Sequence, residues 1–254
     1  MDIKHQDRFD RDIALHKKYA CFYDYIAVEP RQFQLRVLLR HIDREIRSGI
    51  RFLDLGCGTG HSTLRYAHLF REVIGVDHSP EMLDIAIKHL AETRTRNVTL
   101  VTSDLFRYLG AGLDQFDLIS CVGCLHHVPV ETIDEFFALA KRRLARRGRL
   151  LLGEPIDIGT NKEPYFVAKW NTNSVMPERA KLVRFEESEE RAVPPDILLE
   201  RPKTFGYKKV ITARTWDLFQ HKTPVGLLDK VIIPILHTLY GPSGNTQYAL
   251  WEVV

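Results

Sequence analysis

Short apolar runs alternate with amphipathic segments through the middle of this chain. The apolar runs predict five β-strands, near residues 51–55, 72–77, 98–104, 116–123 and 148–154. The segments between them carry apolar positions at helical spacing and predict helices near residues 60–70, 79–92 and 131–145. A chain that alternates strands and helices in this way folds into a parallel sheet with helices on both faces. We therefore predict a doubly wound α/β domain.

The segment before this alternation predicts a helical lid. Apolar positions repeat at helical spacing from Leu35 to Ile46, before a Ser-Gly pair ends the pattern. Aromatic residues are dense closer to the N-terminus, between positions 9 and 25. We expect residues 1–48 to form this lid beside the alternating core of residues 49–155.

The second half of the chain breaks the rhythm. Residues 156–207 contain several prolines and an acidic run, and they predict an insertion after the fifth strand, partly helical and partly loop. Within residues 208–254, Lys208–Thr215 and Thr246–Val254 are rich in β-branched and aromatic residues and predict two closing strands. We interpret the apolar segment 227–240 between them as a further lid or as core packing.

The junction between the first predicted strand and the first predicted helix carries a glycine loop. Residues 51–60 read Arg-Phe-Leu-Asp-Leu-Gly-Cys-Gly-Thr-Gly. Glycine adopts backbone angles closed to other residues and allows the main chain to approach a ligand, and the helix N-terminus that follows offers backbone N–H groups. Asp77 closes the next predicted strand about 20 residues further on, where doubly wound nucleotide folds place an acid for ribose hydroxyls. The sequence therefore predicts a nucleoside-cofactor site.

The spacing of the glycines separates two classes of cofactor. Dinucleotide-binding loops follow the pattern Gly-x-Gly-x-x-Gly, in which the third glycine lets helix and strand pack closely. In this chain the pattern is Gly-x-Gly-x-Gly, and His61 stands where the third dinucleotide glycine would fall. A dinucleotide-dependent oxidoreductase therefore remains only a rival interpretation.

The loop resembles the first motif of the class I S-adenosylmethionine-dependent methyltransferases. Later segments resemble the later motifs of that family, in order and at the family's spacing, over roughly residues 50–155. The segments that carry the resemblance are Leu53–Gly60, Val76–Leu83, Ser103–Leu105, Phe116–Ile119 with Leu125–Val128, and Gly148–Leu152.

The resemblance implies a fold and a cofactor. The fold is a doubly wound, Rossmann-like α/β sheet of seven strands whose last strand is antiparallel, in a single domain over residues 1–254. The cofactor is S-adenosyl-L-methionine, with S-adenosyl-L-homocysteine as product. The cofactor-binding residues that it implies are Asp54, Gly56, Cys57, Gly58, Gly60, Asp77, His78, Met82, Asp104, Leu105 and Cys121.

His126, His127 and Glu154 are the candidate catalytic residues. They follow the fourth and fifth predicted strands, where the methyl group would project. Methyl transfer depends mainly on positioning, and a base is needed when a hydroxyl must lose a proton; histidine suits that work near neutral pH. The alternative is that the histidines only pack and cap local structure. Tyr19 and Tyr23 are the candidate substrate residues.

Cys121 and Cys124 have the spacing of a redox or metal pair. No second pair completes a zinc site, and the motif ends a predicted buried strand. We therefore expect small apolar packing residues and predict no bound metal.

Two further segments invite a macromolecular or membrane interpretation. Lys141–Arg149 is strongly basic, but it closes a predicted helix, where cations suit the macrodipole, and we expect a solvated helix end instead of an RNA groove. The apolar segment 227–240 is too short to span a bilayer and contains a proline. We prefer packing to membrane contact there.

Composition places only modest limits on the partners and the cellular setting of the protein. A net charge of +3 argues for neither nucleic acid nor membrane binding. The four cysteines form no spaced disulfide framework and the first residues do not resemble a signal peptide, so we expect a reducing, cytoplasmic setting.

The prediction is a methyltransferase that modifies an oxygen or nitrogen of a small or medium-sized acceptor. The Leu-His-His-Val form of the fourth motif resembles small-molecule enzymes and lacks the Asn/Asp-Pro-Pro-Tyr signature of enzymes that act on DNA bases, so we expect no DNA partner. The alternatives are a catalytically silent assembly partner and a methyltransferase that acts on protein, RNA or a lipid-linked acceptor. The sequence predicts neither the acceptor nor the oligomeric state.

Overall fold

The structure is a computed structural model. It describes residues 39–156, 192–215 and 246–254, together with residues 14, 17, 20, 21, 23, 24 and 28. Tyr19, the apolar segment 227–240 and most of the insertion predicted over 156–207 lie outside the described residues. No helix among the described residues is long and apolar enough to cross a membrane.

Strands and helices alternate along the core as the hydrophobic pattern predicts. The strands are β1 (Gly49–Leu55), β2 (Phe70–Asp77), β3 (Val98–Thr102), β4 (Phe116–Val122), β5 (Leu144–Pro155), β6 (Tyr207–Thr215) and β7 (Thr246–Val253). The helices of the described residues from 39 onward are α1 (Arg40–Glu45), α2 (His61–Ala67), α3 (Pro80–Glu92), α4 (Leu105–Ala111), α5 (Ile133–Arg143), α6 (Pro195–Leu199) and α7 (Arg201–Thr204), with short 3-10 turns at Leu125–His127 and Val130–Thr132.

The strands form one seven-stranded sheet in the order β3-β2-β1-β4-β5-β7-β6. Strands β1 to β5 pair in parallel, and β7 pairs antiparallel with both β5 and β6. The predicted fold class, with an antiparallel last strand, is confirmed. The strand order reverses between β1 and β4, and in open α/β sheets ligands bind at the carboxyl ends of the strands beside such a reversal.

The two faces of the sheet carry separate apolar clusters because side chains alternate along each strand. Leu53 on β1 belongs to the cluster that Phe136 and Phe137 of α5 complete. Its neighbour Phe52 belongs to the opposite cluster, with Tyr66 of α2. Both faces are therefore buried, as a doubly wound sheet requires.

Two elements differ from the sequence prediction. Helix α4 was not predicted, because its helical pattern is a single pair of buried residues four apart, Leu105 and Leu109, followed by a glycine that weakens a helix prediction. Strand β5 begins at Leu144, directly after α5, instead of near residue 148, because Leu144 pairs with Phe116 of β4. The described end of the predicted insertion forms α6 and α7, and the indole N–H of Trp251 in β7 donates to the Leu198 carbonyl at 3.1 Å.

The basic run at the end of α5 is only partly solvated, so the expectation of a solvated helix end is wrong for two of its arginines. Arg143 is buried and donates to the carbonyl oxygens of Asp114 (2.7 Å), Tyr108 (3.0 Å) and Leu109 (3.2 Å). Arg149 is buried against Glu252, which its Nε contacts at 3.2 Å. Unpaired carbonyl groups are costly to bury, and the guanidinium satisfies several at once.

Candidate active site

The glycine loop between β1 and α2 has the backbone that only glycine adopts without strain. Gly56, Gly58 and Gly60 have φ angles of +65°, +51° and +85°. A Cβ atom at Gly56 would lie 2.6 Å from the Cys124 sulfur, whereas a Cβ at Gly58 would meet nothing within 4 Å. Gly56 therefore allows close packing of the loop on the turn after β4, and Gly58 faces open space.

Asp77 holds the glycine loop against the end of β2. Its Oδ2 accepts the Gly58 N–H at 2.8 Å and its Oδ1 accepts the Ser79 N–H at 2.8 Å. Ser79 in turn caps α3, since its hydroxyl accepts the Met82 N–H at 3.3 Å, and Pro80 occupies the first helical position as predicted. Each carboxylate oxygen keeps a second lone pair for a ligand.

A cleft opens between the glycine loop and the ends of β2, β3 and β4, and we call it the glycine-loop cavity. It measures about 740 Å³ with its open mouth counted, which lies within the range of small-molecule sites. Nine of the predicted site residues line it: Tyr23, Gly56, Gly58, Asp77, His78, Met82, Asp104, Leu105 and His127.

Asp104 lies at the N-terminus of α4, beside Leu105. Its Oδ1 accepts the Arg107 N–H at 2.9 Å, which is an N-cap contact. Both residues line the glycine-loop cavity, so Oδ2 can accept from a ligand there. The apolar side chains of Met82 and Phe106 line the same cavity.

Asp54 is buried beneath the loop instead of lining the cavity. Its Oδ2 accepts the Thr63 hydroxyl at 2.6 Å and its Oδ1 accepts the Ser120 hydroxyl, so it joins β1 to α2 and β4. Burial raises the pKa of this carboxyl to about 6, in spite of the two hydroxyl donors. Asp54 therefore orders the glycine loop from below.

Three other predicted cofactor residues do not line the cavity. Gly60 caps α2, while Cys57 and Cys121 are buried and packed, and burial raises the pKa of both thiols well above the usual range. Among the described residues, the cysteine that lines the cavity is Cys124.

Glu154, at the end of β5, organises the turn that carries both candidate histidines. Its Oε1 accepts the backbone N–H groups of Cys124 (3.0 Å) and Leu125 (2.8 Å), and its Oε2 accepts from Nδ1 of His126 at 2.7 Å. Glu154 and His126 are buried, whereas His127 lines the cavity. The structure therefore brings only His127 of the three candidate catalytic side chains to the cavity wall.

Sequence reasoning missed several lining residues that follow strands β3 and β4 or belong to β2. Their position just after a predicted strand, or at its end, could have identified them, because the carboxyl ends of parallel strands meet at one edge of the sheet. They are Val76, Ser103, Phe106, Gly123, Cys124, Val128 and Pro129.

A second cleft, the α2 cavity, lies beside α2 on the face of the sheet that carries the cluster of Phe52 and Tyr66. It measures about 920 Å³ with its open mouth counted. Its walls are mainly apolar and aromatic: Val28, Leu39, His61, Ser62, Leu64, Arg65, Tyr66, Val122, Leu151 and Tyr248.

Comparison with known proteins is consistent with this geometry. Residues 52–148 match the family model described as a methyltransferase domain. The chain is 28% identical over 218 residues to a cyclopropane-fatty-acyl-phospholipid synthase of Escherichia coli, a match that spans 83% of the chain and 52% of the relative. The chain thus spans about half the length of that relative. It is 35% identical over 94 residues to a ubiquinone biosynthesis O-methyltransferase of Coxiella burnetii, over 37% of the chain and 39% of that protein.

Two solved structures share the fold at low sequence identity. A complex of DhpI with S-adenosylhomocysteine superposes with a TM-score of 0.63 at 17% identity, over 95% of both chains. The N-methyltransferase NodS of Bradyrhizobium japonicum, also with S-adenosylhomocysteine, superposes with a TM-score of 0.58 at 14% identity, over 89% of this chain and 88% of NodS. These likenesses establish the architecture of the sheet and its helices.

Proposed function

We propose that this protein is a class I S-adenosylmethionine-dependent methyltransferase, which transfers a methyl group from S-adenosylmethionine to an oxygen or nitrogen of a small or medium-sized acceptor; residues 52–148 match a family model for a methyltransferase domain. One observation carries the proposal. Gly58, Asp77 and Asp104 line one cavity at the carboxyl ends of β1, β2 and β3, beside the reversal of strand order.

The lining of the glycine-loop cavity fits this cofactor. Asp77 is held by two backbone N–H groups and can accept from ribose hydroxyls, and Oδ2 of Asp104 can accept from the adenine amino group. Met82 and Phe106 supply apolar walls for an adenine ring. The open space beside Gly58 leaves the loop backbone accessible to the amino-acid portion.

The residues of this chain position the reactants and handle the proton. When bound, S-adenosylmethionine supplies an electrophilic methyl group. His127 lines the cavity and can take the proton of a hydroxyl acceptor, whereas Glu154 and His126 lie behind it and fix the turn.

The class of acceptor is inferred from the lining of the two cavities. The α2 cavity is mainly apolar. A residue of the N-terminal segment lines each cavity: Val28 the α2 cavity and Tyr23 the glycine-loop cavity. A ring or an apolar chain would suit these walls. A lipid-linked acceptor is the second candidate, because the match to a relative named for a fatty-acyl-phospholipid spans 83% of this chain.

Binding of S-adenosylhomocysteine by calorimetry is the first test. We expect micromolar binding by the wild type, a loss of at least about tenfold in Asp77→Asn because the acid is removed from the cavity wall, and no change in the control Asp84→Asn, which lies exposed on α3. A folded wild type that binds neither this product nor S-adenosylmethionine contradicts the proposal and favours an assembly partner. Binding of NADH instead would favour the oxidoreductase.

Acceptors are then screened by the release of S-adenosylhomocysteine. Phenols and amines test the first candidate, and vesicles of unsaturated phospholipid test the second. Turnover with vesicles alone would replace the small-molecule acceptor by the lipid.

A further inference from the structure

Asp24, His61 and His89 meet beside the glycine loop although they are distant in the chain. Asp24 Oδ1 lies 3.1 Å from Nε2 of His61, and Asp24 Oδ2 lies 3.1 Å from Nε2 of His89. One potential ligand atom of each residue lies within 4.8 Å of the others, and all three residues are half-buried. The arrangement of two imidazoles and one carboxylate is the ligand set of many zinc and iron sites.

The hydrogen bonds of His89 fix its tautomer. Its Nδ1 lies 2.8 Å from the carbonyl oxygen of Thr59, which can only accept, so Nδ1 carries a proton. In the neutral ring Nε2 then presents a lone pair, and this lone pair faces Oδ2 of Asp24. Two acceptors do not attract each other, so this contact needs a cation between them or a second proton on the imidazole.

Thr59 supplies the outer contacts that metal ligands typically have. Its carbonyl accepts from His89, and its hydroxyl donates to Oδ1 of Asp24 at 2.6 Å. Ligating histidines generally donate their other ring N–H to a carbonyl or carboxylate, and ligating carboxylates are themselves hydrogen-bonded. One residue of the glycine loop therefore orients two of the three groups.

We propose that Asp24, His61 and His89 form a binding site for a divalent transition metal, with zinc as the best-suited ion. Three protein ligands leave a fourth position for water. Each imidazole Nε2 lies 3.1 Å from a different carboxylate oxygen of Asp24, against an edge of about 3.3 Å in a tetrahedron with zinc–ligand bonds of about 2.0–2.1 Å. To close on one ion, the carboxylate either binds through both oxygens or turns one oxygen toward both imidazoles.

The site lies between the two cavities. Asp24 follows Tyr23, which lines the glycine-loop cavity, while His61 begins α2 and lines the α2 cavity. His89 lies on α3, with its ring centroid 5.1 Å from that of His61. A bound ion would tie this point of the N-terminal segment to the glycine loop and α3. The inference does not depend on methyl transfer.

Zinc binding to the chelator-treated protein tests the site, measured by competition with a chromogenic chelator. We expect one zinc ion per chain with a submicromolar Kd, and a loss of affinity of at least about 100-fold in His61→Ala, His89→Ala and Asp24→Asn, since outer partners alone are worth about 10–100-fold. Thr59→Val should show a smaller loss. His68→Ala, on the exposed residue after α2, should bind like the wild type.

Replacing zinc by cobalt(II) gives an absorption spectrum that reports the metal ligands and that a folding defect alone does not produce. The wild type and His68→Ala, loaded with cobalt(II), should show the strong visible absorption that is typical of a four-coordinate ion. His89→Ala should lose this absorption while its far-ultraviolet circular dichroism stays unchanged. Absence of zinc binding by the folded wild type overturns the proposal, as does equal affinity in all the variants. The cluster would then be a hydrogen-bonded ion pair between Asp24 and protonated histidine.

Discussion

Glu154 and His126 form a buried pair in which Oε2 lies 2.7 Å from Nδ1. The same carboxylate accepts the backbone N–H groups of Cys124 and Leu125, so a residue of β5 fixes the turn after β4. The ring of His127 lies with its centroid 4.0 Å from that of His126. The placement of the cavity-lining histidine therefore depends on a carboxylate that does not line the cavity.

The first prediction concerns His127. If it takes the proton of a hydroxyl acceptor, His127→Ala lowers turnover by about 10²–10⁴-fold with little change in S-adenosylhomocysteine affinity. His68→Ala is the matched control. Steady-state turnover with the acceptor, together with calorimetric binding of the product, measures both. Wild-type turnover in single variants of His126, His127 and Glu154 alike would end the catalytic assignment.

The second prediction separates positioning from chemistry at Glu154. Glu154→Gln keeps the shape, and its amide oxygen can still accept the two backbone N–H groups, but its amide nitrogen then presents a donor to the Nδ1–H donor of His126. We expect a loss of about 1–3 kcal/mol in the free energy of unfolding, because a buried donor loses its acceptor. Urea denaturation measures this loss. A destabilised variant whose pH profile of turnover keeps its midpoint indicates positioning, while a shifted midpoint indicates that Glu154 sets the proton affinity of the base.

The third prediction compares two glycines of one loop. Alanine at Gly58 incurs only the strain of left-handed backbone, about 1–2 kcal/mol, since nothing lies within 4 Å of its Cβ. Alanine at Gly56 adds a clash, 2.6 Å from the Cys124 sulfur, and we expect a larger fall in the free energy of unfolding. Gly58→Ala should instead weaken binding of S-adenosylhomocysteine, because its methyl group stands in the cavity wall. Equal loss of stability in the two variants would contradict this account.

The fourth prediction follows from the buried Asp54. Its pKa in the folded state is about 6 because burial disfavours the charged form, against about 3.9 in an unfolded chain. The folded state therefore binds this proton more tightly, and the stabilisation is complete below about pH 4 and is lost as the pH rises to about 6. The loss amounts to about 3 kcal/mol.

Asp54→Asn removes this titration and keeps the volume. We expect the variant to lose less stability than the wild type between pH 4 and pH 6, in urea denaturation followed by circular dichroism. Two curves that stay parallel over that range would mean that Asp54 does not titrate there.

The fifth prediction concerns the basic run. Arg143→Met leaves the carbonyl groups of Asp114, Tyr108 and Leu109 without their donor and should lower the free energy of unfolding by at least about 2 kcal/mol. Arg142→Met changes an exposed neighbour of the same charge and should have little effect. A similar loss in both variants would show that the charge of the run matters more than the buried contacts.

The central strands of the sheet could be predicted because they are buried on both faces and appear as apolar runs, whereas β3 and β6 were predicted from their β-branched and apolar residues although little of them is buried. Asp77 was identifiable from its place at the end of the strand after the glycine loop, whereas Asp104 was identified through the family resemblance, and both line the cavity. Helix α4 was not predicted, because it shows only one pair of buried residues at helical spacing, Leu105 and Leu109, and carries a glycine at position 110.

Site residues could be predicted from the sequence only where they directly follow a predicted strand or loop. Cys121 and Cys124 lie three residues apart, and the path of the chain after β4 determines that Cys124 lines the cavity while Cys121 is buried in the strand. The meeting of Asp24, His61 and His89 spans 65 residues and depends on how the N-terminal segment lies on α2 and α3. No spacing rule along the chain describes such a contact.

Strand β7 comes last of the seven along the chain, yet it lies between β5 and β6. A ribosome releases residues in chain order, so β6 emerges before the strand with which it pairs. Until residues 246–253 are released, a nascent chain can close only the five parallel strands and leaves β5 as an open edge. Open edges invite pairing with other chains, so β5 stays exposed to such pairing until β7 is released and covers it, after which β6 replaces β5 as the edge of the sheet.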